Sequence, residues 1–92
     1  MTKIKIKTIV WDDFNVEHIK KHRVGVPEIE GVKSKIIYHR KTKKDRYLAV
    51  GRSGSRILTL ILSRKAKTTY YLVSAHDSGK KERRKVYEKE NI

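Results

Sequence analysis

The stretch Val73–Glu88 reads V-S-A-H-D-S-G-K-K-E-R-R-K-V-Y-E. An apolar, β-prone run ends in a small polar corner, and a strongly basic helix starts at once. Such a corner gathers backbone N–H groups, a histidine, arginines and a tyrosine around one anion, the chemistry a phosphodiester needs. Asp77 or Ser78 is placed to cap the helix, and Gly79 lets a ligand approach the backbone closely. Lys80 and Lys81 stand at the positive end of the helix macrodipole, where cations are disfavoured unless an anion joins them. Arg83 and Tyr87 are four residues apart and share one face, while Glu82 and Val86 share a neighbouring one. Val86 and Tyr87 also suit core contacts, with the charges as a solvated face and Arg84 paired to Glu88. The residues alone leave both readings open.

Upstream of this corner the chain reads as a meander. Thr68–Ala75 is β-branched and aromatic, and Arg56–Ser63 (R-I-L-T-L-I-L-S) is almost continuously apolar, as expected of a central strand. Arg64-Lys65-Ala66-Lys67 turns the chain between them. Lys35–His39 and Arg46–Gly51 are strand-like. The basic turn Arg40–Asp45 joins them, and a glycine-bearing hairpin loop, Gly51–Ser55, follows. Lys3–Val10 alternates, with Ile4 and Ile6 on one face and Lys3, Lys5 and Lys7 on the other, and reads as a strand near a sheet edge. After Trp11, Asp12 or Asp13 caps a helix through about His22, with Asn15, His18, Ile19 and His22 on one side. Gly25-Val26-Pro27 breaks the chain, and Pro27 begins a second short helix to about Lys33. Ser78 to about Glu90 forms the last helix. The order β-α-α-β-β-β-β-α implies an α+β fold with a largely antiparallel sheet, as one domain over residues 1–92.

With 92 residues the core is modest, and the formal charge is +14. Charge of that size repels itself and is kept when the partner is a polyanion or an acidic protein. Nucleic acid is the leading candidate, because Lys and Arg on phosphates release counterions. An anionic membrane is disfavoured, since no apolar run approaches the ~20 residues needed to span one and no helix has a broad apolar face. The first seven residues, M-T-K-I-K-I-K, lack the apolar core of a signal peptide. The absence of cysteine leaves no disulfide and no thiolate site, in keeping with a cytoplasmic location.

Two further constellations carry chemistry. His18 and His22 have the i, i+4 spacing of metal ligands, but no third ligand is evident, so no metal or other cofactor is expected. They are better read as packing against the sheet or binding polar groups. His76 sits where a strand meets a helix and suits proton transfer or a cation facing phosphate. The segment Lys33–Lys44 holds Lys33, Lys35, Arg40, Lys41, Lys43 and Lys44 with Tyr38 and His39 between them and no acid. Interleaved cations and aromatics suit single-stranded RNA, and a solvated hairpin tip suits the pattern too. Arg52, Arg56 and Arg64 extend the basic surface.

Three segments together resemble the BrnT-type toxins. They are W-D-D-F-N-V-E-H-I-K-K-H-R-V-G-V-P-E-I-E (Trp11–Glu30), R-Y-L-A-V-G (Arg46–Gly51) and V-S-A-H-D-S-G-K-K-E-R-R-K-V-Y (Val73–Tyr87). The resemblance covers nearly the whole chain in the family's order. Ser74, Ala75, Glu82, Arg83 and Tyr87 match the closing motif. His76 stands where the family usually has arginine, and Arg23 where a glycine commonly follows the Lys-His pair. The resemblance implies a RelE-like fold and a ribonuclease toxin of a type II toxin–antitoxin pair, which arrests translation. It also implies neutralisation by a cognate antitoxin, assembly with it into an oligomer, and contact with operator DNA only through that antitoxin.

RelE-like cleavage proceeds without metal, by attack of the 2′-OH on the adjacent phosphate. It needs a base, an acid and cations for the phosphorane charge. The expected catalytic set is His76 for proton transfer, Arg83 for charge, Tyr87 for positioning or proton donation, and Glu82 for orienting an arginine. The expected RNA-binding set is Lys80, Lys81, Arg84, Arg40, Lys41, Lys43, Lys44, Arg52, Arg56 and Arg64. Two alternatives stand beside this. One is a non-catalytic basic nucleic-acid-binding module. The other is an interaction protein whose basic groove holds an acidic peptide.

Overall fold

A computed structural model describes residues 4–90. The elements are β1 Thr8–Val10, α1 Asp13–Lys20, α2 Val26–Val32, β2 Ile36–Lys43, β3 Arg46–Ser53, β4 Arg56–Arg64, β5 Thr69–Asp77 and α3 Lys80–Glu90. The five strands form one sheet in the order β1-β5-β4-β3-β2. Only β1 and β5 run parallel, and the other neighbours are antiparallel. The expected element order and α+β architecture are found. The most apolar strand, β4, lies at the centre, where both neighbours satisfy its backbone.

Register divides the sheet into two faces. Tyr47, Ala49, Leu58, Leu60, Leu62, Tyr70, Leu72 and Ala75 belong to the first, and they build the main core with Ile6, Ile9, Ile19, Val24, Ile29 and Val32. The second face carries Leu48, Val50 and Ile57, which pack with Val86 of α3 in a smaller cluster. Helices α1 and α2 thus close one face and α3 closes part of the other. Gly51 lies where the α2–β2 connection crosses β3. A methyl there would come within 2.8 Å of both the Lys35 carbonyl oxygen and Val32 Cγ1, so only glycine fits.

Several boundaries differ from the sequence reading. The expected strand Lys3–Val10 pairs only over Thr8–Val10, and Lys3 lies outside the described residues. Ile6 is nonetheless buried, so the alternation records burial rather than strand pairing. The expected turn Arg40–Asp45 is mostly strand, with Lys44 and Asp45 alone turning the chain. Asp45 adopts φ 57°, which an acidic turn residue tolerates. The loop expected over Gly51–Ser55 tightens to Gly54-Ser55, with Gly54 at φ 60°. His76 and Asp77 are not in a corner but in β5, opposite Thr59 and Leu58.

Both N-terminal helices are shorter than expected, ending at Lys20 and Val32. Asp12 is the N-cap of α1. Its carboxylate accepts from the Asn15 N–H at 2.9 Å, and Asn15 Oδ1 accepts from the Asp12 N–H at 2.9 Å. The Asn15 amide also donates to the Val10 carbonyl, so one buried asparagine ties β1 to α1. Tyr71 donates to the Asp12 carboxylate, and Asp12 is held below the usual carboxylate range, first by the Asn15 N–H. Trp11 Nε1 donates to Glu30 at 2.7 Å and fastens α2 beside the start of α1.

Helix α1 ends at a left-handed residue. Arg23 has φ 58°, and the Val24 N–H bonds back to the Ile19 carbonyl at 3.1 Å, the reverse bond of a Schellman closure. The resemblance described above puts a glycine at this position, and glycine adopts this left-handed backbone without strain. Arg23→Gly is expected to raise stability by about 0.5–1 kcal/mol, the relief of left-handed strain less the added chain entropy. A urea midpoint at or below that of the native chain would contradict this.

Candidate active site

Helix α3 begins over the end of β5. The Ser78 N–H donates to the Ile57 carbonyl at 2.8 Å, and the buried hydroxyls of Ser78 and Thr59 meet at 2.7 Å. Ser78 therefore locks the corner onto β4 rather than capping α3, and Asp77 binds Arg56 rather than a helix N–H. The Gly79 carbonyl accepts the first helical bond, from Arg83. From there α3 passes to the far side of the sheet. Glu90 pairs with Arg52 of β3, and Lys89 comes near enough to His39 of β2 for its charge to act there.

Consequently α3 covers β2, β3 and the Ile57–Ile61 part of β4 on the second face, and leaves β5 and the Ser63 end of β4 without a helix over them. Register gives the rows that lead from β4 to this uncovered strand. Thr59 stands beside His76, Ile61 beside Ser74, and Ser63 beside Tyr71. The rows continue onto β3 and β2 through Leu48 with Arg40 and through Arg46 with Lys43. Two of the expected RNA-binding residues, Arg40 and Lys43, thus share a face with His76, while Lys41 falls on the other face.

The N-terminal helix closes the β5 side with histidines. His18 Nε2 lies 3.2 Å from Ser74 Oγ. The His18 and His22 rings are 5.4 Å apart between centroids, and those of His22 and His76 are 5.9 Å apart, tilted by 55°. His18 and His22 are exposed and His76 is half-buried. The expectation that the helical histidines would bind polar groups is met by His18. Among the described residues, no group of three His, Cys, Asp or Glu side chains is arranged to hold a metal ion.

The arginines divide into two kinds. Arg56 donates to both Glu28 oxygens at 2.9 Å, to Asp77 at 3.1 and 3.2 Å and to the Arg23 carbonyl at 3.0 Å. It bolts α2 and the end of α1 to the sheet, and it holds Asp77 below the usual carboxylate range. Arg52 is likewise bound to Glu90 by two hydrogen bonds. Both expected RNA ligands have their donors engaged by carboxylates. By contrast Lys80, Lys81, Arg84 and Lys85 line a shallow depression on the outer side of α3 with one acid, Glu88. Arg64 and Lys44 are exposed, on β4 and in the β2–β3 turn.

Of the expected catalytic residues, Arg83 and Tyr87 share one side of α3. Arg83 is close enough to act on the charge of Asp77, and Tyr87 on that of Arg52, so this side faces the β3–β4 hairpin end. The Glu82 side chain turns back toward Gly79. Among the described residues, no hydrogen bond links His76 to Arg83, Tyr87 or Glu82. His76 is joined instead by His22 and His18, whose distance from it in sequence hides the relation. Arg46 is a further cation on the open face, and alternation through Arg46, Leu48 and Val50 is the signal that exposes it.

Among the described residues, no helix is long and apolar enough to cross a membrane. No protein-family model matches the chain, and no curated protein sequence matches it. A comparison of solved structures does give a match, at 21% sequence identity and a TM-score of 0.66, over 79% of this chain and 97% of the other. The match agrees with the resemblance carried by Trp11–Glu30, Arg46–Gly51 and Val73–Tyr87. The α+β fold of this chain is that of the crystallised Brucella abortus ribonuclease toxin, BrnT.

Proposed function

We propose that this chain is an RNA-cleaving toxin, restrained by a cognate antitoxin that assembles with it. The shared fold with a ribonuclease toxin carries the reading. A net charge of +14 and an open sheet face bearing His76 support it. The reaction is attack of a ribose 2′-OH on its own phosphate, without a metal ion, and its biological outcome is arrest of translation. His76 transfers a proton. Arg83, with Lys80 or Lys81, stabilises the phosphorane charge, Tyr87 positions the RNA and Glu82 orients an arginine. Lys80, Lys81, Arg84, Arg40, Lys43, Lys44 and Arg64 hold the strand, and Arg52 and Arg56 hold the fold. Operator DNA is reached only through the antitoxin.

The test incubates the purified chain with end-labelled single-stranded RNA in the presence of a chelator. Cleavage is expected, with Arg83→Ala slower by roughly 10²–10³-fold, the usual loss for one charge-stabilising donor. RNA that is bound with steep salt dependence and recovered intact would instead make the chain a non-catalytic basic binding module, which the net charge alone also supports.

A further inference from the structure

Three imidazoles meet on the exposed flank of the sheet. His18 comes from α1, His22 from the turn that follows it, and His76 from β5, a separation of more than fifty residues that only the fold closes. Stability gives little reason for the arrangement. Among the described residues none of the three has a carboxylate partner, and His18 and His22 are open to solvent. In a chain of this charge, protonated neighbours at 5.4 and 5.9 Å repel one another. The cluster thus places two proton-transfer side chains side by side at a solvent-facing edge. Paired imidazoles are the side chains best suited to giving and taking protons near neutral pH.

Transesterification of RNA needs such a pair. The attacking 2′-oxygen and the departing 5′-oxygen lie on opposite sides of phosphorus, so two proton-transfer groups must stand on either side of one phosphate, each within hydrogen-bond reach. Two imidazoles with ring centres 5.9 Å apart present nitrogens at that kind of spacing. We propose that His22 is the second proton-transfer group of the cleavage site, paired with His76 across the scissile phosphate, with His18 and Ser74 fixing its orientation. The proposal rests on the ribonuclease reading. A neutral imidazole of the pair takes the 2′-OH proton as the O2′–P bond forms. The imidazolium of the other gives its proton to the 5′-oxygen as the P–O5′ bond breaks. The products are a 2′,3′-cyclic phosphate and a free 5′-OH, and water exchanges the two protons back.

His18 is a positioning residue. Its Nε2 meets the Ser74 hydroxyl at 3.2 Å, so the ring is pinned to β5, and it stacks obliquely at 59° on His22. The charged groups around the rings are Asp13, Glu17 and Lys21, which share a depression with His18, and Asp77, which follows His76 in β5 and is held by Arg56.

The experiment uses the whole chain and a labelled DNA strand with one ribonucleotide, so that one bond can be cut, from acid to alkaline pH. The wild type is expected to give a bell-shaped rate profile. His22→Gln is expected to be slower by roughly 10²–10⁴-fold and to lose one limb of the bell, and His76→Gln the other limb. The double variant is expected to be no slower than the slower single one, since the pair acts as a unit. Binding of the 2′-O-methyl strand, which cannot be cut, is expected to be unchanged in His22→Gln. His18→Gln is expected to lower the rate while keeping both limbs. His22 is exposed, so its variants should melt as the wild type does. Wild-type rate with both limbs in His22→Gln overturns the proposal and leaves the ribonuclease reading intact. A wild type that never cleaves the strand, or longer RNA, overturns that reading and the pair with it.

Discussion

Alanine in place of His76 is expected to slow RNA cleavage by roughly 10²–10⁴-fold, the contribution of a positioned acid or base. His76 is the imidazole fixed to the sheet. Its cross-strand neighbour is Thr59, which the Ser78 hydroxyl holds in place, so the backbone that aims His76 is anchored from both sides. Losing the ring leaves that bond and the core untouched, and thermal melting should show little change. His76→Arg separates two roles. Arginine is the residue that the BrnT-type resemblance implies at this position and supplies a cation, but it cannot give up a proton at neutral pH. We expect its rate to stay near that of alanine, because in this chain the neighbours of the position are imidazoles rather than carboxylates. A His76→Arg protein as fast as the native one would assign the position to charge stabilisation. Single-turnover cleavage is the measurement.

Leu60→Ala is expected to cost about 2–5 kcal/mol, a large part of the roughly 5–15 kcal/mol that stabilises such domains. Leu60 is fully buried at the middle of the central strand. Its register partners on either side are Ala49 and Ala75, which are too small to fall into the space it would leave. The cavity would open beneath α1 and α2, against Ile19, Ile29 and Val32, in the cluster that holds these helices to the sheet. The helix carrying His18, and the turn after it that carries His22, would loosen with it. Urea unfolding should show a lowered midpoint with similar slope, and a shift below 1 kcal/mol would mean that α1 and α2 collapse into the gap.

The parts of the fold legible in sequence are those where one physical cause acts alone. Arg56–Ser63 reads as a central strand because both faces and both edges are buried. Asp12 reads as a cap because its side chain bonds the backbone three residues on. The misread boundaries are those where two causes compete. Arg40–Lys43 reads as a turn because it is polar, yet a strand at a sheet edge with solvent on its surface needs no apolar residue. His76-Asp77 reads as a corner because it is polar, yet pairing with β4 keeps it extended. On α3, the i, i+4 spacing puts Arg83 and Tyr87 on one side of the helix, as the sequence reads. The meeting of His22 with His76 is not legible from spacing, because it depends on β1 lying parallel to β5 and so setting α1 along the β5 flank. No local period encodes that crossing.

The outer half of β2 has a consequence for crowding. Arg40, Lys41 and Lys43 are exposed on β2, which among the described residues is the last strand of the sheet and has no strand paired to its outer side. A second copy pairing there would bring its own three cations against these, and like charges across a strand pair repel. The edge thus discriminates by charge where its hydrogen bonds cannot discriminate at all. It disfavours pairing with copies of itself and favours chains of opposite sign.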